Sequence, residues 1–387
     1  MSRRIVIAGG GPAGLATARA YREAGGEGEV VLVGAEPHAP YQRPPLTKEF
    51  LRGESGPGEL PLETREWYAE RRIDLVLGVP ATELDPGRRA LMLADGRALA
   101  FDACVLATGA EPARLPVPGG DDVQLIRRIE DAERLRERTG AGTRVAVVGS
   151  GFIGCEAAAS LAMRGAEVTL VTMERAPQEA RLGAEAAAWI AGWLRALGVT
   201  LVTGAEIEAI ERADGGRRVH VAGYAPVAAD VVACGAGIQP NTALAETAGL
   251  ALDDGRVVVD AMLRTAVAGV YAVGDVALAF NAAAGRRLHV EHWGEALNHG
   301  AVAGRALAGA DAEWRTAPGF WSTIGRHTLK HVAWGDGFDT ARFVEHGDGA
   351  FTVWYGAGGV VVGVLAHDRD EDYEHGRELV EAGAPLP

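Results

Sequence analysis

The first clear pattern in the chain is a short apolar run, Arg4-Ile5-Val6-Ile7-Ala8, followed at once by Gly9-Gly10-Gly11-Pro12-Ala13-Gly14. An unbroken run of this length fits a strand buried on both faces, as in a parallel sheet. Apolar positions then recur at helical spacing through Leu15, Ala18 and Tyr21, and a second buried run, Glu29-Val30-Val31-Leu32-Val33, ends close to Glu36. The same order returns about 140 residues later. There, Arg144-Val145-Ala146-Val147-Val148 leads into Gly149-Ser150-Gly151-Phe152-Ile153-Gly154, a helix over 155–164 and a strand over 168–171. Other apolar runs predict strands at 105–107, 199–203, 231–233 and 270–273, and a helix over 295–307. Past Trp314 the texture changes: β-like runs at 331–334, 341–344, 351–355 and 360–366 precede a final helix from about Glu371.

Composition narrows the class without altering that outline. Apolar residues make up 48% and charged residues 23%, ordinary for a folded domain protein. The net charge of −14 argues against nucleic-acid binding, which needs a positive surface to release counterions. Cys104, Cys155 and Cys234 are scattered and form no C-x-x-C, so neither a disulfide framework nor a metal site is expected. The apolar run after Arg3-Arg4 stops at Ala8, too short for a leader. The uncharged stretch 349–367 holds Gly356-Ala357-Gly358-Gly359 between two β-rich runs and reads as a hairpin, not a membrane span. The expectation is a cytoplasmic chain without membrane partners, monomer or homodimer.

Each glycine motif assigns its residues a task. Gly9 makes the tight turn, Gly11 lets the backbone approach a pyrophosphate, and Gly14 lets the helix sit close on the sheet, with Pro12 and Ala13 forming the first turn. The helix N-terminus offers unpaired N–H groups to phosphates. Glu36, about twenty residues after Gly14, is placed to accept ribose hydroxyls. Gly149, Gly151 and Gly154, with Phe152 and Ile153 between them, repeat the arrangement. Two sites imply two dinucleotides, most economically a bound FAD and a diffusing NADH or NADPH. The fold class is therefore α/β, with two Rossmann-like dinucleotide-binding domains and a small α+β C-terminal domain. Residues 1–112 and 240–312 would form the FAD domain, 113–239 the inserted NAD(P) domain, and 313–387 the last.

Several longer stretches carry a resemblance. They are Pro40-Tyr41-Gln42-Arg43-Pro44-Pro45-Leu46-Thr47-Lys48, Ala107-Thr108-Gly109-Ala110, Tyr271-Ala272-Val273-Gly274-Asp275-Val276, Val290-Glu291-His292-Trp293 and Phe320-Trp321-Ser322. Over almost its whole length the chain resembles the FAD-dependent pyridine nucleotide oxidoreductases of the ferredoxin reductase type. That resemblance implies a role for each matching residue. Lys48, one of two lysines among 38 basic residues, would stand beside the flavin ring and stabilise its negative charge on reduction. Arg43, Thr108, Gly109, Glu291, His292, Trp293 and Trp321 would line the flavin pocket. Gly274 and Asp275 would hold the ribityl chain, and Arg114 would reach the pyrophosphate. Glu156 would face the nicotinamide, with Phe152, Gly235 and Gly237 on the coenzyme's path. The chain departs from the family at Thr172, where relatives that prefer NADH carry Glu. Glu174 and Arg175 lie nearby, so the choice between NADH and NADPH stays open.

The function so implied is hydride transfer from NAD(P)H to FAD, then single electrons to a ferredoxin-like iron–sulfur acceptor that feeds a cytochrome P450 or a Rieske oxygenase. A thiol relay is excluded, because 41–51 holds no cysteine. The rivals are a flavin-dependent reductase or oxidase acting directly on a small molecule, quinone or oxygen, and a signalling flavoprotein like apoptosis-inducing factor. Docking of an acidic carrier would need a basic patch, for which Arg326, His327, Lys330 and His331 are the candidates.

Overall fold

The computed structural model describes residues 3–213 and 215–387. The first glycine motif follows the central strand of a five-stranded parallel sheet. Its order is Val270–Ala272, Ala103–Leu106, Arg4–Ala8, Glu29–Gly34 and Ile73–Leu77. Residues Ile5 to Ala8 are almost wholly buried, as a strand covered on both faces requires. The second motif follows the centre of a matching sheet, ordered Thr200–Val202, Glu167–Val171, Arg144–Val148, Val231–Cys234 and Gln124–Leu125. The chain passes between the two at one place, where Ala110–Pro112 pairs antiparallel with Ile238–Pro240.

The helix Pro12–Glu23 lies against Trp293–Leu307, and two glycines make the approach close. A Cβ on Gly300 would stand 2.3 Å from the Ala13 carbonyl oxygen, and one on Gly304 2.4 Å from that of Thr17. After Ala272 the chain makes a 3-10 turn, Gly274–Val276, with Gly274 at a φ of +72°. The helix of the second motif begins at Phe152, because the glycine turn itself supplies its first residues.

The C-terminal part is an antiparallel sheet, ordered Gly319–Ile324, His327–Ala333, Val360–His367, Ala350–Ala357 and Thr340–Gly347, against which Asp370–Ala382 packs. The uncharged stretch is the expected hairpin, turning at Gly358 and Gly359. A meander of Ala81–Asp85, Ala90–Leu93 and Ala98–Ala100 went unforeseen, since its short strands carry too little apolar alternation to announce themselves. Among the described residues no helix is long and apolar enough to cross a membrane.

Candidate functional site

A cleft of about 500 Å³ opens at the ends of the strands of the first sheet, where open α/β folds bind ligands. The three motif glycines behave differently there. A Cβ on Gly9, at a φ of +136°, would fall 2.0 Å from the Ala107 carbonyl oxygen, and one on Gly14 2.2 Å from that of Gly9. A Cβ on Gly11 would meet nothing within 4 Å, so that position faces open cleft. Gly11 caps the helix without a side chain, leaving its first N–H groups free for an anion.

Of the residues expected around the first dinucleotide, all but Gly14 and Arg114 line this cleft. Gly14 is buried beneath it. Glu36 accepts hydrogen bonds from Arg43 Nη2 and Tyr41 Oη, both at 2.6 Å. Thr108 Oγ1 donates to the Asn241 carbonyl at 2.7 Å, tying the turn after the 103–106 strand to the returning chain. The Arg114 expectation does not hold: its side chain is exposed and pairs with Asp121 at 2.6 Å, outside the cleft. Arg127 lines the cleft instead. Its guanidinium lies 3.4 Å from where a Gly109 Cβ would be and 3.5 Å from Asp275 Oδ2. No local motif marks Arg127, and only the folded chain brings it here. Burial raises the Asp275 pKa, against the pull of Arg127.

On the cleft wall four donors converge on one carboxylate. Glu156 Oε2 accepts from Lys48 Nζ at 2.7 Å and Thr47 Oγ1 at 2.5 Å. Oε1 accepts from Ser322 Oγ at 2.7 Å and the Thr323 N–H at 3.2 Å. Lys48 and Glu156 are both buried and both line the first cleft, and Glu156 does not line the second. Trp293 starts its helix at the cleft floor, while Trp321 is 45% exposed at the mouth.

A second cleft, of about 680 Å³, follows the other glycine motif and is lined by Ser150, Gly151, Phe152, Ile153, Gly235 and Gly237. Gly149, at a φ of +93°, and Gly154 stand behind it, each with backbone where a Cβ would go. Thr172 and Arg175 do not reach this cleft, which corrects their assignment. Thr172 is buried and its hydroxyl bonds Ser150 Oγ at 2.7 Å, whereas the Arg175 side chain is 87% exposed and pairs with Glu179 at 2.7 Å. Glu174 and Gln178 line it instead, Glu174 accepting from Ser150 Oγ at 3.2 Å.

The clefts meet. Phe152, Phe320 and His292 line both, with ring centroids 4.6 Å apart for the phenylalanines and 4.2 Å for His292 on Phe320. Burial, with Arg181 nearby, lowers the His292 pKa to about 3. The four candidate basic residues do not share one face, and of them Arg326 alone is exposed. Alternation along His327–Ala333 splits them: His327 stacks on Trp193 at 4.4 Å, His331 is buried beside Phe320, and Lys330 pairs with Asp370 at 2.7 Å on the other face. No cysteine lines the first cleft, and burial drives Cys104 to about 12 and Cys155 upward, away from thiolate chemistry.

Residues 3–300 match the pyridine nucleotide-disulphide oxidoreductases. The chain belongs to that family. Within it, the chain is 34% identical over 384 residues to the ferredoxin–NAD(+) reductase component of an anthranilate 1,2-dioxygenase system of Burkholderia cepacia, covering 98% of this chain and 94% of that one. It is 32% identical to putidaredoxin reductase of Pseudomonas putida, over 99% of this chain and 92% of the other. Putidaredoxin reductase in covalent complex with putidaredoxin superposes with a TM-score of 0.93 at 31% identity, over 99% of this chain and 94% of that structure's.

Proposed function

We propose that the first cleft holds FAD, the second holds NADH, and the protein passes electrons one at a time to a small iron–sulfur carrier. The chain is an oxidoreductase of the ferredoxin reductase kind, as its relatives' names and near-complete coverage support. The observation that carries the reading is the junction at Phe152 and Phe320, where a nicotinamide in one cleft comes within reach of a ring in the other. Flavin supplies two-electron uptake and one-electron release. The protein's own residues fit that group. Gly11 and the free helix N–H groups suit a pyrophosphate, Arg127 and Asp275 flank its path, and the buried Lys48 ammonium offers a cation where negative charge would gather.

Coenzyme choice rests on Glu174. A carboxylate lining the second cleft accepts ribose hydroxyls and repels a 2′-phosphate, while Arg175 points away toward Glu179. The carrier would meet the exposed Trp321 at the mouth of the first cleft. We place the protein in the cytoplasm, where its three buried, unpaired cysteines stay reduced.

The test is direct. Purified protein should carry flavin absorbance, be bleached anaerobically by NADH, and reduce cytochrome only when a ferredoxin is added. Trp321→Ala should slow the ferredoxin step and leave bleaching by NADH intact. Rapid turnover on a quinone or on air with no response to any ferredoxin would replace the carrier with a direct acceptor.

A further inference from the structure

A nicotinamide entering the junction brings a carboxamide out of water, and an amide buried without a partner costs free energy. Glu156 has no room for it. Its two oxygens already accept from Lys48, Thr47, Ser322 and the Thr323 N–H, which uses the lone pairs of both. Of the polar side chains lining both clefts, Arg127 and Asp275 pair with each other and Glu291 pairs with Arg256. The His292 ring nitrogens have no hydrogen-bond partner among the described residues, its backbone carbonyl alone accepting, from the Ala296 N–H. Its ring is held flat on Phe320, at 4.2 Å and 29° between planes, and Phe320 is itself braced by Phe152 at 4.6 Å and His331 at 5.1 Å. The imidazole is thus oriented by stacking while its nitrogens stay uncommitted.

We propose that His292 is a specificity-determining residue of the coenzyme site, accepting a hydrogen bond from the carboxamide N–H of nicotinamide through its unprotonated ring nitrogen. The proposal rests on the second cleft holding a nicotinamide coenzyme. The neutral state, enforced by burial and by Arg181, keeps that nitrogen available and sets no positive charge against the oxidised pyridinium ring. One neutral hydrogen bond of this kind corresponds to about five-fold in affinity.

Anaerobic stopped-flow reduction of the holoenzyme gives Kd for NADH and for the reduced 3-acetylpyridine analogue, whose methyl ketone keeps the C=O and lacks the N–H. Wild type should bind NADH about five-fold more tightly. His292→Leu should abolish that preference by weakening NADH alone, and His292→Asn, whose amide oxygen accepts, should retain it. Equal Kd values in the wild type overturn the proposal before any variant is made. An unchanged ratio in His292→Leu overturns it too, as does equal weakening of both coenzymes, which would make the ring purely structural. If neither coenzyme reduces the wild-type flavin, the coenzyme reading itself falls and takes this proposal with it.

Discussion

A carboxylate withdrawn from water is tolerable only when its lone pairs are taken, and at Glu156 four donors take them. Lys48 is the one full charge among those donors, so its removal leaves a buried anion beside the ring site. Lys48→Met should lower the flavin potential and slow reduction by NADH, with about 30 mV for each ~1.4 kcal/mol of lost stabilisation in the reduced state. Glu156→Gln should move the potential the other way, and the double variant should return toward wild type. A redox titration of the three variants checks the pattern; identical potentials would make the pair structural. The same scale decides the coenzyme. Glu174→Ala should raise KM for NADH and admit NADPH, shifting the preference by about 1–3 kcal/mol, whereas Arg175→Ala should change neither. A larger effect at Arg175 on NADPH would return the choice to that residue.

One motif contains glycines with opposite reasons for being glycine. At Gly14 a methyl would strike the Gly9 carbonyl at 2.2 Å, so Gly14→Ala should destabilise the apoprotein by about 1–3 kcal/mol, read in urea melts. At Gly11 a methyl meets no protein atom within 4 Å, so Gly11→Ala should leave the apoprotein melt unchanged and weaken FAD binding, read by flavin titration. Equal effects of the two on folding would contradict the division of labour. The helix pair behaves like Gly14. Gly300 and Gly304 let Trp293–Leu307 approach Pro12–Glu23 at backbone distance, which places the Gly274–Asp275 turn over the first glycine motif. A Gly274 Cβ would stand 3.2 Å from the Ala13 Cβ.

Over the whole molecule, buried titratable groups set the pH range of stability. Burial lowers His292, His299 and His331 to about 3 from an ordinary 6.5. As pH falls below 6.5 the unfolded chain takes up protons that the folded chain refuses, so each histidine withdraws up to roughly 1.4 kcal/mol per pH unit. Glu295, accepting from Trp314 Nε1 at 2.8 Å and Asn298 Nδ2 at 2.7 Å, is pushed up by burial to about 7. Between its ordinary 4.5 and 7 the folded chain keeps a proton the unfolded chain has released, so rising pH withdraws stability there. Three groups outweigh one, and stability should fall toward acid below pH 6. His299→Asn should flatten that fall by about 1 kcal/mol per pH unit, averaged over urea melts from pH 5 to 7, and an unchanged slope would mean that His299 already titrates normally.

The architecture was legible because its signals are local. A buried strand, a glycine turn and a helix lie within some twenty consecutive residues, and the hairpin at Gly358-Gly359 within fewer, so steric and hydrogen-bonding rules act on neighbours in sequence. Lys48 stood out through its motif and its rarity. The chemistry of the site was less visible, because it is assembled across sequence distance. Arg127 rather than Arg114 lines the first cleft, since the chain after the crossing strand turns the earlier arginine to solvent. Period-two alternation, applied to a strand whose covered face was unknown, could not say that His331 and His327 turn inward while Lys330 turns out. Glu156 meets Ser322 and Thr323 from the far C-terminal sheet, and His292 meets Phe320, itself braced by His331, from that same sheet. Local sequence determined which elements form and where a dinucleotide can rest; only tertiary packing decided which donors saturate a carboxylate and which imidazole is left free, because those contacts join elements that no local rule relates.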